Sequence, residues 1–223
     1  MEFYRMLSEN YREIFPVSEN MLKFTLDNIS GDRVLDVGCA KGDLLRRLCS
    51  EGKDAWGVEY VPELVGFPDR TLLGDMHRLP FADGDFSGVI CTGNTLVHSK
   101  EPSVVIKEFA RVTKPGGGLV LQILNYDRIM REQPAELPVI QTGDFQFLRT
   151  YDYLADSIRF SGKLQRGNES TESSVLLYPL SSVSVCKLLS NNNFSNIRIF
   201  GGFDSAAFAS EDSYTLVVTA QKR

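Results

Sequence analysis

The sequence predicts an α/β protein built on a doubly wound, mostly parallel sheet, and three observations carry that expectation. From Arg33 onward, short β-branched apolar runs alternate with helical stretches, as in parallel β-α-β units with right-handed crossovers. The first of these runs ends in VLDVGCAKGD, a turn of small residues leading straight into a helix, where sheets of this class place their ligands. Two strand-like runs at the C-terminus, NIRIFGG and YTLVVTAQK, are expected to join through a short loop and close the sheet with an antiparallel edge.

The elements follow in order. Residues Glu2 to Glu13 and Ser18 to Asn28 read as helices separated by Pro16, the second with Ser18 as N-cap and apolar Met21, Leu22, Phe24 and Leu26 behind it. RVLDVG is a strand, Lys41 to Glu51 a helix, DAWGVE a strand and TLLG a short strand. FSGVICT is a strand, Ser103 to Thr113 a helix and GGLVLQIL a strand. After Tyr126 the rhythm breaks. Residues 130–179 hold two or three alternating runs with a polar turn at Arg166 to Ser170, which predicts an inserted antiparallel cap. Ser181 to Ser190 reads as a helix, ended by an asparagine run.

Length and composition bound the function. At 223 residues one domain with an insertion is expected, large enough to bury a core without disulfides or a structural metal. Twenty-four basic against twenty-nine acidic side chains leave a net charge of −5, so the chain as a whole repels polyanions and nucleic acid is not an expected partner. No run approaches the length of a membrane span, and the charged N-terminal residues lack a signal's apolar stretch. A cytoplasmic protein is expected. Cys39, Cys49, Cys91 and Cys186 are widely spaced and histidine occurs only at 77 and 98, so no metal site is expected.

The turn itself narrows the ligand. A dinucleotide fingerprint needs glycine at 38, 40 and 43, where the chain has Gly38, Ala40 and Asp43, which disfavours a pyrophosphate cradle. Glu59 ends the second strand, where an acid conventionally takes hydrogen bonds from ribose hydroxyls. A nucleoside without phosphates satisfies both facts.

On these residues the sequence resembles the class I S-adenosylmethionine-dependent methyltransferases, whose loop D-x-G-x-G-x-G is matched by Asp36, Gly38, Ala40 and Gly42. The resemblance runs from about Val34 through Ile123 and implies a Rossmann-like, seven-stranded domain over residues 1–223, with N-terminal helices in 1–30. It implies S-adenosyl-L-methionine as cofactor, S-adenosyl-L-homocysteine as product, Glu59 on the ribose, Asp75 on the adenine amino group, Met76 against the ring, and Thr92 among the cofactor-binding residues. Tyr4, Tyr11 and Phe15 form a partly apolar helical face that is expected to close over the cofactor.

For the methyl acceptor, Gly93-Asn94-Thr95 with His98, and Asn125-Tyr126-Asp127, look closest to the glycine and sarcosine N-methyltransferases. That resemblance implies Asn94 as an acceptor-site residue and an amine nitrogen as the methylated atom, with oxygen as the alternative. Those enzymes hold the substrate carboxylate with an arginine where this chain has Leu124, so glycine itself is disfavoured. Arg149 of the cap is the candidate replacement cation. His98 is expected either to accept a proton or to orient Asn94; Tyr126, Tyr151 and Tyr153 are expected near the pocket rim, and His77 as an exposed loop residue. Asp43, Asp83 and Asp85 read as turn or cap residues. The rival readings are a nucleic-acid methyltransferase, whose strand-four motif is absent, an NAD-dependent oxidoreductase, and a cofactor-binding module without catalysis.

Overall fold

The computed structural model describes residues 2–223. A seven-stranded sheet runs in the order β10-β11-β5-β4-β1-β2-β3. Its strands are β1 (Arg33–Val37), β2 (Asp54–Glu59), β3 (Thr71–Leu73), β4 (Phe86–Cys91), β5 (Thr113–Leu124), β10 (Phe194–Phe200) and β11 (Thr215–Lys222). β1 pairs in parallel with β2 on one side and β4 on the other, so the strand order reverses beside it. β11 alone runs against its neighbours, lying between β10 and β5. The loop from β10 to β11 spans residues 201–214 rather than being short.

Alternation along each strand fills two layers. Leu35, Val37, Val89, Leu119, Leu121 and Val218 face α5 (Pro102–Val112) and α7 (Ser182–Asn191), meeting Ile106, Phe109, Val185 and Leu189. Val34, Ala55, Ile90, Val120 and Val217 face the opposite way, onto Leu22 and Phe24 of α3 (Glu19–Asn28) and Leu44, Leu45 and Leu48 of α4 (Asp43–Ser50). α4 lies so close to β2 that a Cβ on Gly57 would sit 2.6 Å from Leu45 Cδ1. Ser18 caps α3 as expected, its Oγ accepting from Met21 N at 3.1 Å.

Two sequence expectations are corrected here. The first helix is broken into α1 (Glu2–Leu7) and α2 (Tyr11–Ile14), because each buries different apolar residues, Phe3 and Leu7 in one and Ile14 in the other. A helix that was not expected, α6 (Tyr126–Glu132), starts directly after β5, with Asn125 Oδ1 accepting from Arg128 N.

The cap is a four-stranded antiparallel meander: β6 (Glu136–Thr142), β7 (Phe145–Tyr153), β8 (Ile158–Arg166) and β9 (Glu169–Leu177). Phe145, Phe147, Arg149 and Tyr151 share one face of β7, and Phe145 and Phe147 pack on Phe3, Leu7 and Ile14 of α1 and α2. Cap and N-terminal helices thus form one layer above the carboxyl ends of the main sheet. It is tied down where Tyr178 N donates to Val97 O at 2.7 Å.

Candidate active site

Beyond β1 the backbone turns through left-handed conformations at Gly38, Ala40 and Gly42, with φ of 76°, 46° and 71°. Gly38 N and Cys39 N both donate to Val58 O, folding the loop onto β2. A Cβ on Gly38 would lie 2.6 Å from Thr95 Cγ2, so only glycine fits. Ala40 holds its left-handed turn at a cost of about 1–2 kcal/mol. Glu59 offsets that cost by accepting from Ala40 N at 2.9 Å through Oε2, while Oε1 accepts from Val61 N at 2.8 Å.

Glu59 is only 5% exposed and Asp36 only 4%. Burial pushes the Glu59 carboxyl upward, with its backbone N–H partners pulling the other way. Burial, and then the charge of Glu59, push Asp36 up to about 7. Two desolvated acids thus flank the loop.

A cavity of about 290 Å³ opens there. Its walls are Gly38, Glu59, Asp75 and Met76, with Thr95 and His98 at one side and Tyr4 and Tyr11 above. Across the loop a second cavity of about 230 Å³ is lined by Asp36, Ala40, Thr92, Tyr11 and Phe15, and Gly38 and Gly93 border both. The structure therefore gathers the residues named for the cofactor around one loop.

Asp75 is half exposed, and Oδ1 accepts from His77 N and pairs with His77 Nδ1 at 2.6 Å. Burial opposes ionisation of Asp75, but these contacts hold its carboxyl below the usual range. His77 is not the exposed loop residue expected: Nε2 meets Ser99 Oγ at 2.7 Å, so the imidazole bridges two loops. Asp43 begins α4 and pairs with Arg12, fastening α2 beside the loop; Asp83 and Asp85 pair with Arg111 and Arg33.

The residues expected on the acceptor side are arranged differently. Asn94, left-handed at φ 66°, donates from Nδ2 to Tyr126 Oη at 2.9 Å and accepts from Leu124 N at 3.0 Å, locking the end of β4 to the end of β5. His98 ends a 3-10 turn at Thr95–His98; Nε2 lies 2.8 Å from Tyr4 Oη, and Nδ1 is buried with no partner. Burial lowers its pKa to about 4, so the imidazole is neutral at pH 7. Burial likewise pushes the Tyr4 hydroxyl well up, aided by neighbouring Tyr11, Tyr126, Glu59 and Tyr151. Tyr151 is buried on the cap's inner face with Tyr153 beside it, the rings 6.1 Å apart. Asn94, Tyr126, Tyr151 and Arg149 do not border the main cavity.

Gln122 escaped the sequence reading: it is buried in β5, and Oε1 accepts from Gly93 N at 2.8 Å, fixing the turn between the two cavities. Its signal was a single amide inside the apolar run LVLQIL.

Comparison with known proteins bears on this geometry. Residues 35–121 match the family model described as a methyltransferase domain. The match covers less than half of the chain. Around it, the chain is 30% identical to a demethylmenaquinone methyltransferase of Renibacterium salmoninarum, over 59% of this chain and 60% of that one. It is 32% identical to a ubiquinone biosynthesis O-methyltransferase of Xanthomonas oryzae, over 49% and 50%. The chain thus spans about half the length of the curated relatives it matches. An S-adenosylmethionine-dependent methyltransferase from Clostridium acetobutylicum superposes with a TM-score of 0.79, at 15% identity, over 99% of this chain and 98% of that one. The fold of the sheet and its cap is therefore the class I methyltransferase fold.

The residues present fit an adenosyl group. A carboxylate has about four acceptor positions; Glu59 uses two on backbone N–H groups and borders the cavity with the rest. Gly38 brings bare backbone to the same wall. Among the described residues no cluster of metal ligands occurs, and no helix is long and apolar enough to cross a membrane.

Proposed function

We propose that the chain transfers a methyl group from S-adenosylmethionine to a nitrogen of a small molecule. The observation that supports this most is the buried Glu59 facing a cavity beside the turn Gly38–Gly42, inside a methyltransferase domain. Glu59 would hold the ribose hydroxyls, Asp75 and Met76 the adenine, and Asp36 and Thr92, across the loop, the cationic amino-acid end. When bound, the cofactor supplies an electrophilic methyl on a sulfonium. The acceptor's lone pair forms the new N–C bond as the C–S bond breaks, its electron pair stays on sulfur, and the nitrogen then sheds its proton to water.

The protein's share is positioning and exclusion of water. Tyr4 and Tyr11 cover the cavity, and the cap lies over the sheet ends. Nitrogen is favoured over oxygen because His98 is neutral and weakly basic, whereas a hydroxyl must surrender its proton for attack. His98 Nδ1 suits holding an N–H, not stripping an O–H. The acidic cavity also suits the cationic cofactor better than its neutral-sulfur product, which assists release.

Calorimetric titration with S-adenosylmethionine, S-adenosylhomocysteine and NAD tests the reading. Micromolar binding of both adenosyl ligands, lost in Glu59→Ala, is expected; binding of NAD alone would overturn it.

A further inference from the structure

The two carboxylates that border the main cavity, Glu59 and Asp75, hold their donors differently. Glu59 spreads them, with one backbone N–H on each oxygen. Asp75 takes both on Oδ1, from His77 N at 2.9 Å and His77 Nδ1 at 2.6 Å, and among the described residues Oδ2 has no donor. Asp75 is thus clamped by one oxygen and left open at the other.

The clamp is one end of a longer chain. His77 Nε2 lies 2.7 Å from Ser99 Oγ, and Ser99 Oγ accepts from Glu101 N at 2.9 Å. The contacts with His77 hold Asp75 below the usual carboxylate range, so it is ionised at neutral pH. An ionised carboxylate only accepts, so Nδ1 carries the N–H. In the neutral imidazole Nε2 then accepts, and the Ser99 hydroxyl donates to it.

Carboxylate, imidazole and hydroxyl in this order make up a hydrolytic triad, but here the open end is the wrong one for that chemistry. Ser99 is 1% exposed, too buried for a nucleophile, whereas Asp75 is half exposed and His77 lines the cavity beside Met76. Both ends of the chain are seated in closed turns, one after β3 and one after β4. Arg78 N donates to Asp75 O at 3.0 Å, and Ser99 N to Leu96 O at 3.1 Å.

We propose that His77 sets base specificity in the cofactor site: by clamping Asp75 through Oδ1 it fixes Oδ2 as a rigid acceptor, which takes a purine bearing a 6-amino group and rejects one bearing a 6-oxo group. This rests on the methyltransferase reading above, in which Asp75 meets the adenine. His77 is a positioning residue and acts through Asp75. Rigidity is what discriminates. An oxo oxygen set against Oδ2 is acceptor against acceptor, while the N1–H of an oxo purine lies one ring atom away, where a freely rotating carboxylate could follow it. Held by two donors on one oxygen and anchored to Ser99, Asp75 does not follow.

The experiment is calorimetric titration of the whole chain with S-adenosylhomocysteine and with S-inosylhomocysteine, which carries an oxo group in place of the amino group. The unaltered protein is expected to bind the adenosyl ligand about tenfold or more tightly, as a hydrogen bond to a charged group implies. His77→Ala should collapse that ratio, chiefly by weakening the adenosyl ligand. His77→Asn, whose amide N–H can stand where Nδ1–H does, should restore most of it, and Ser99→Ala should give an intermediate ratio. A merely structural histidine would weaken both ligands together. An unchanged ratio in His77→Ala, or no preference in the unaltered protein, would therefore overturn the inference. If His77→Ala does not fold, the ratio in Ser99→Ala decides by the same criterion. Failure of the unaltered protein to bind either ligand would instead sink the methyltransferase reading, and the base site with it.

Discussion

The two halves of the candidate site recognise in different ways. The cofactor side is made of backbone: left-handed turns at Gly38, Ala40 and Gly42, held by the carboxylate of Glu59. The proposed acceptor side is made of side chains, among them Tyr4, His98, Asn94 and Tyr126, delivered by a helix and by the segments that follow two strands. Backbone recognition is fixed by a few adjacent residues and tolerates little change. Side-chain recognition depends on distant segments meeting and is free to vary with the acceptor.

That contrast is open to test, and the largest effect belongs to the cofactor side. Glu59→Ala should lower adenosyl-ligand affinity by a hundredfold or more, since two charge-assisted bonds of about 1.5–3 kcal/mol each are removed. It should also lower the melting temperature, because Ala40 N and Val61 N lose their acceptor. A variant that binds normally would show that the backbone turn alone suffices.

On the acceptor side, Tyr126→Phe strands Asn94 Nδ2 and should cost about 1–3 kcal/mol of stability while leaving S-adenosylhomocysteine affinity intact. Chemical denaturation and calorimetry on the same variant separate the two. Equal loss in both would mean that the halves are not independent.

Two pH dependences of opposite sign are expected as well. Asp36 has its folded pKa raised from 3.8 to about 7, so its contribution to stability is full below pH 3.8 and lost as the pH climbs to about 7. His98 is depressed from 6.5 to about 4, so its contribution is present above pH 6.5 and lost as the pH falls toward 4. Denaturation midpoints across pH 4–8 should show Asp36→Asn removing the loss toward neutrality and His98→Gln removing the loss toward acid. Ionised Asp36 also attracts a sulfonium, so affinity for S-adenosylmethionine should rise several-fold from pH 6 to 8, more than for S-adenosylhomocysteine. The smallest change is expected for Tyr4→Phe, which frees His98 Nε2; in a two-histidine protein the imidazole resonances report that loss directly by NMR.

Much of the main sheet was legible in the sequence because period-two apolar runs and their turn residues are local signals. The strands from RVLDVG to YTLVVTAQK and the helices between them lie where those signals put them, as does the Ser18 cap. What failed was local ambiguity resolved by packing. One helical pattern from Glu2 to Glu13 became two helices because Phe3 and Leu7 are drawn under the cap, and α6 was masked by a short polar stretch. His77 read as an exposed loop residue; it does lie in a turn, but it is half-buried beside Ser99, a partner distant in sequence.

By itself the sequence determined the doubly wound class, the turn of small residues after β1 and the acid at the end of β2, since each depends on residues a strand or a turn apart. Only the tertiary structure decided that Asn94 ties two strand ends together, that Arg149 faces inward without a counter-ion, and that Tyr4 reaches His98. Those facts depend on which face a strand presents and on what closes over it, and such choices are made by burial of the whole chain rather than by any neighbouring residue.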